Sequence, residues 1–178
     1  FMNITIVGLG YVGLSLSFLL SQKHKIVAYD IDPVKVKNLK EKKIINPDST
    51  FKKYLKNKTF SIYPTTKEKE AYRSAKYTII CTPTNYNDKK NSFDTRSVES
   101  AIRLINKHNN KTVIIIKSTV PLGFTEKIKN KYNKLKIIFS PEFLRETKSL
   151  YDNLYPSRII VGDTNKSARE FANLLLTC

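Results

Sequence analysis

The chain has 178 residues, enough for one well-buried domain and short for two, and its 40% hydrophobic and 26% charged content is that of a globular protein. Two cysteines exclude a disulfide framework and a cysteine-built zinc cluster, and no apolar run reaches the roughly 18 residues that span a bilayer. The 32 Lys and Arg against 15 Asp and Glu give a formal net charge of +17, which favours anionic partners, yet the lysines are spread through amphipathic surroundings such as 127–136 and form no dense basic arm.

The N-terminus, FMNITIVG, carries no basic segment ahead of an apolar stretch, so no secretory signal is expected. Phe1 reads as an expression remnant before Met2, and a reducing cytoplasm is the expected setting. The β-branched run ITIV (4–7) predicts a first strand. It leads into Gly8-Leu9-Gly10-Tyr11-Val12-Gly13, which holds three of the chain's five glycines. Val12, Leu16, Leu19 and Leu20 then recur with helical period and predict an amphipathic helix. KIVAY (25–29) predicts a second strand and ends on Asp30.

Further along, YTII (77–80), TVIII (112–116), KIIF (136–139) and RIIV (158–161) predict four more strands. None alternates polar with apolar residues, which suits strands covered on both faces, as in a parallel sheet. Helical stripes fall between and after them at Val98, Ala101, Ile102 and Ile105, and at Ala168, Phe171, Ala172 and Leu175. The polar stretch NYNDKKNSFD (85–94) is expected to be a mobile loop. Alternating strands and helices over residues 1–178 predict a single α/β domain with a doubly wound parallel sheet.

The glycines fit a Rossmann-like dinucleotide-binding turn. Gly8 permits the tight exit from the strand, Gly10 lets the backbone approach a pyrophosphate, and Gly13 lets the helix pack closely. The helix N-terminus directs free N–H groups and partial positive charge at the phosphates. Asp30, at the end of the second strand, is placed to grip an adenosine ribose and to repel a 2′-phosphate, favouring NAD over NADP; Lys35 nearby tempers that preference. Polar residues follow other strands too: Thr82, Thr84, Ser118, Thr119 and Glu142. In an open parallel sheet that carboxyl edge is where ligands bind.

At GLGYVGL, CTPTNYN, IIKSTVPLGFTE, SPEFLRE and LYDNLYPSRIIVG the sequence resembles the nucleotide-sugar 6-dehydrogenases, the bacterial UDP-glucose 6-dehydrogenase branch most of all. The resemblance runs from Met2 to about Leu176. It implies oxidation of a UDP-sugar's C6 alcohol to a carboxylate with two NAD⁺, through an aldehyde held by a cysteine. By motif it implies NAD contacts at Tyr11, Val12, Asp30, Lys35, Thr84, Thr119 and Glu146. It implies sugar-nucleotide contacts at Glu142, Phe143, Leu144, Arg145 and Glu146, and catalytic roles for Thr119, Glu142 and Glu146. Thr119 can orient a water, and either glutamate can take its proton if burial raises its pKa. In a helix their i, i+4 spacing would share one face, with Pro141 at the first helical position. The pair is equally what a helix start favours on its own.

The resemblance further implies a dimer-building helix and a second domain beyond this stretch, with the nucleophilic cysteine and an essential lysine, so the stretch by itself is expected to be inactive. Cys81 and Cys178 lack the surroundings of such a nucleophile. No residue is assigned to a metal, and neither nucleic acid nor membrane is an expected partner. The alternatives are a dehydrogenase of UDP-N-acetylhexosamine or GDP-mannose, or a non-enzymatic module binding dinucleotides or nucleic acid.

Overall fold

A computed structural model describes residues 1–44, 48–56, 59–89 and 91–178. In chain order the elements are β1 (Asn3–Val7), α1 (Tyr11–Leu20), β2 (Lys25–Tyr29), α2 (Pro33–Lys40), α3 (Thr50–Lys56), β3 (Ile62–Thr65), α4 (Glu68–Tyr72), β4 (Tyr77–Ile80), β5 (Tyr86–Asn87), β6 (Ser92–Phe93), α5 (Arg96–His108), β7 (Val113–Ile116), α6 (Phe124–Lys131), β8 (Lys136–Phe139), a 3₁₀ turn (Glu146–Lys148), α7 (Ser149–Leu154) and α8 (Lys166–Leu176).

Six strands form one sheet in the order β3-β2-β1-β4-β7-β8, every neighbouring pair parallel. The chain builds outward from β1 to β3, then returns to β4 on the other side of β1. β1 is therefore hydrogen-bonded to β2 in register Val7↔Tyr29 and to β4 in register Val7↔Ile80. That reversal opens a crevice at the carboxyl ends of β1 and β4, where open α/β sheets take their ligands.

The continuous apolar runs are explained by helices on both faces. Ile4 and Ile6 of β1, Tyr77 and Ile79 of β4 and Ile115 of β7 pack under α1 and α8 with Leu16, Leu20 and Phe171. Val7, Ile80, Ile114 and Ile116 pack the opposite way, against Ala71 and Tyr72 of α4, Val98, Ile102 and Ile105 of α5 and Ile128 of α6. A third cluster, Leu9, Phe18, Ala28, Val36, Leu39, Phe51 and Leu150, joins α1, α2, α3 and α7. The doubly wound parallel sheet expected from the sequence is the observed architecture.

Two local expectations differ, and one strand was not expected. RIIV (158–161) is not a strand: Ile159 and Ile160 are exposed, and the segment is tied to β8 through Gly162 N–H to the Phe139 carbonyl (2.8 Å) and Ser140 Oγ to the Ile160 carbonyl (2.7 Å). The edge beyond β3 was instead unmarked in the sequence, because β3 carries Pro64, which cannot donate to a ladder and is tolerated on an edge strand. Within the polar stretch 85–94, expected as a mobile loop, β5 and β6 pair antiparallel, Tyr86 opposite Phe93 with their rings edge to face at 5.2 Å.

Candidate functional site

Each glycine of the first turn answers a separate steric demand. Gly8 leaves β1 with φ +95°, and a Cβ there would meet the Cys81 carbonyl oxygen at 2.8 Å, so both the backbone conformation and the neighbouring strand require glycine. A Cβ on Gly13 would sit 1.8 Å from the Gly8 carbonyl oxygen, so α1 lies directly on the turn that precedes it. Gly10 differs: a Cβ there meets nothing within 4 Å, because the position faces open space. Gly10 is also the N-cap of α1 and has no side chain to satisfy the first N–H groups of the helix, whose first turn carries no acid. Those donors are left for an anion.

Asp30 binds this turn from β2. Its Oδ2 accepts the Leu9 N–H at 2.6 Å and its Oδ1 the Asp32 N–H at 2.9 Å, while Lys35 Nζ stands 3.6 Å from Oδ2. The carboxylate is buried, yet each oxygen retains a lone pair for a further donor. Asp32 in turn caps α2 by accepting the Val34 N–H at 2.8 Å, with Pro33 at the first helical position.

Across the crevice, the Thr82–Thr84 loop is held from two sides. Ser118 Oγ donates to the Thr82 carbonyl at 2.7 Å, and Ser97 Oγ of α5 donates to the Pro83 carbonyl at 2.7 Å. Together these elements enclose a cleft of about 1060 Å³. Gly8, Gly10, Tyr11, Val12, Asp30, Lys35, Thr84, Thr119, Glu142, Leu144 and Glu146 all line it. Gly13 lies buried beneath the turn.

Residues 141–145 are not helical, so Pro141 does not open a helix and the two glutamates do not share a helical face. Arg145 is extended, with its N–H donated to Asp152 Oδ2 at 2.9 Å and its guanidinium paired with the same carboxylate. That anchor lies directly before the 3₁₀ turn that Glu146 begins. Glu142, Leu144 and Glu146 line the cleft, whereas Phe143 lines a second, small cavity, its ring 4.8 Å from the Arg158 guanidinium, and Arg145 turns to Asp152.

Burial pushes the Glu142 carboxyl above its ordinary pKa, against the opposing pull of Lys117 and of the Leu144 N–H. A half-buried carboxyl of raised pKa at a cleft wall is suited to accept a proton near neutral pH. Burial pushes the Cys81 thiol up to about 12, with Lys117 pulling the other way, so this cysteine is an inert part of the wall. Reading by motif missed Lys117, Ser97, Asp94 and Arg96, which also line the cleft. Lys117 was marked only by a cation directly ending the apolar run TVIII.

The open space at Gly10, the free N–H groups of α1 and the spare acceptors of Asp30 suit a dinucleotide's pyrophosphate and ribose. Comparison with known proteins agrees. Residues 2–177 match the model of the UDP-glucose/GDP-mannose dehydrogenase family, NAD binding domain. The chain is 46% identical to a UDP-glucose 6-dehydrogenase of Streptococcus pneumoniae, covering 98% of this chain and 46% of that protein. It is 44% identical to a UDP-glucose 6-dehydrogenase of Campylobacter jejuni, covering 98% of this chain and 45% of the relative. A solved UDP-glucose dehydrogenase from Pyrobaculum islandicum superposes with TM-score 0.85 at 26% identity, over 99% of this chain and 44% of its own. The chain thus spans about half the length of the curated relatives it matches. With the glycine turn, Asp30 and the cleft in place, the chain belongs to the UDP-glucose/GDP-mannose dehydrogenase family, as its NAD-binding domain.

Proposed function

We propose that this domain serves a protein that oxidises UDP-glucose to UDP-glucuronate with two NAD⁺, and that the cleft holds the dinucleotide next to the sugar. The observation that carries the reading is the Leu9–Asp30 bond of 2.6 Å, which joins the glycine turn to the ribose-binding carboxylate on one rim of the cleft. The UDP-glucose 6-dehydrogenases at 46% and 44% identity support the choice of sugar nucleotide.

NAD⁺, when bound, supplies the hydride acceptor. Asp30 accepts the ribose hydroxyls, Lys35 flanks them, and the N-terminus of α1 with Tyr11 and Val12 receives the pyrophosphate. Thr84 borders the same path from the other side. Thr119, exposed at the end of β7, has a hydroxyl free to orient the water that the carboxylate product requires. Glu142 is the better placed proton acceptor, since it is half-buried and its pKa is raised, whereas Glu146 is exposed. Glu142, Leu144 and Glu146 form the sugar-nucleotide side of the cleft, and Phe143 and Arg145, which face away from it, anchor the segment from behind. In this reading the longer protein is a homodimer, and its partners are NAD and the UDP-sugar rather than nucleic acid or membrane. Among the described residues no helix is long and apolar enough to cross a membrane.

The test is an assay of the longer protein with UDP-glucose, a UDP-N-acetylhexosamine and GDP-mannose in parallel. UDP-glucose is expected to yield the uronate with two NADH per sugar. No uronate from UDP-glucose, with turnover of another sugar, would overturn the assignment.

A further inference from the structure

Lys117 is 8% exposed, and among the described residues it is the buried cation. Burying an ammonium is costly unless partners compensate it. Its backbone continues β7, with the N–H donated to the Ile80 carbonyl at 2.9 Å, so the side chain leaves the sheet from a fixed point. Nζ donates to the Pro141 carbonyl at 3.2 Å, across to the segment that follows β8. Lys117 and Glu142 both line the large cleft and the small second cavity, so they form the wall between the two. Glu142 Oε2 lies in that wall, buried, with no hydrogen-bond partner. A buried carboxylate oxygen without a donor is costly, and Lys117 is the cation whose charge acts on it.

We propose that Lys117 is a positioning residue for Glu142: its buried ammonium fixes the Pro141 carbonyl, and with it the segment that sets the Glu142 carboxylate in the wall of the cleft, and its charge favours the ionised form of that carboxylate. This rests on the reading of Glu142 as the proton acceptor. The titratable groups acting on Lys117 are Cys81, at the end of β4, and Glu142; the cation acting on Glu142 is Lys117. Burial lowers the Lys117 pKa while both neighbours raise it, so the pair is coupled in both directions.

The test is the titration of Glu142 in the chain carrying ¹³C-labelled glutamate, assigned with Glu142→Gln. Lys117→Met removes the charge at nearly constant length. It is expected to raise the Glu142 midpoint by about one to three pH units, the range that one close opposite charge commands. Lys117→Arg, which keeps the charge, is expected to return the midpoint toward that of the unaltered chain. A folded Lys117→Met chain with an unmoved Glu142 midpoint would overturn the proposal, because a purely structural lysine alters stability and not this titration. Should Lys117→Met fail to fold, the pair is read from the other side: Glu142→Gln is expected to lower the Lys117 Nζ midpoint, and an unchanged one would overturn the proposal. Neither titration requires cofactor or sugar, so a chain that failed to bind NAD⁺ would count against the functional reading and leave this result standing.

Discussion

At the scale of single residues, the site is set by where side chains are missing. Gly8 and Gly13 are required by the fold and, in the proposed function, Gly10 by the ligand, and the clearances separate them: 2.8 Å and 1.8 Å to backbone oxygens for the first two, open space for the third. Gly13→Ala is expected to destabilise the chain by about 3 kcal/mol, the upper end of ordinary overpacking, because the atom it strikes is backbone and cannot swing aside. Gly10→Ala is expected to change stability by less than about 1 kcal/mol. Urea denaturation of the two variants checks the contrast, and equal losses would refute it. This much was readable from residue spacing, since glycines at such intervals after a strand have few other uses, as was Asp30 at the end of β2. Lys117 was not, because burial of a lysine depends on the strands that surround it and leaves no mark in the local pattern.

Among the elements, α7 shows how a distant residue fixes one side of the site. Asp48, buried and 102 positions earlier in the chain, accepts the Leu150 N–H at 2.8 Å and the Tyr151 N–H at 3.1 Å, and it also accepts the Thr50 N–H at 2.8 Å. Burial opposes its ionisation more than any single contact favours it, but the bonds from Thr50, Tyr151 and Leu150 together hold the carboxyl below the usual carboxylate range. A depressed folded-state pKa stabilises above the unfolded value and is lost as pH falls through the folded one. Asp48→Asn is therefore expected to cost about 2 kcal/mol at pH 7, with the difference from the unaltered chain shrinking below about pH 4. Thermal unfolding across pH 2–7 checks this; a constant difference would contradict it. The contacts of Asp48 cross 102 residues, beyond any local sequence signal. The same limit explains why RIIV, β3 and 141–145 were not legible from local sequence. RIIV had a strand's composition but lies at the sheet's margin with exposed isoleucines, Pro64 disguised an edge strand, and the Arg145–Asp152 pair kept 141–145 from becoming a helix. Period and propensity describe what a segment prefers; the neighbours decide.

For the molecule as a whole, the order β3-β2-β1-β4-β7-β8 follows from one reversal of direction at β1, and the segments that leave β1, β2, β4, β7 and β8 meet at one cleft because of it, with α5 completing the wall. The apolar runs made the doubly covered parallel sheet legible before any coordinates, since strands buried on both faces have no polar side to show. What they left open was the Glu142 side of the cleft, which is assembled by contacts between segments far apart in the chain. In the proposed function the cleft receives the dinucleotide through the turn at Gly10. Isothermal titration calorimetry of NAD⁺ into the chain tests it most directly, with folded Gly10→Val as the control. The account predicts saturable one-to-one binding that the valine weakens at least tenfold, or by about 1.4 kcal/mol, by filling the space the pyrophosphate needs. A folded chain that takes up no NAD⁺, or a Gly10→Val variant that binds it equally well, would contradict it.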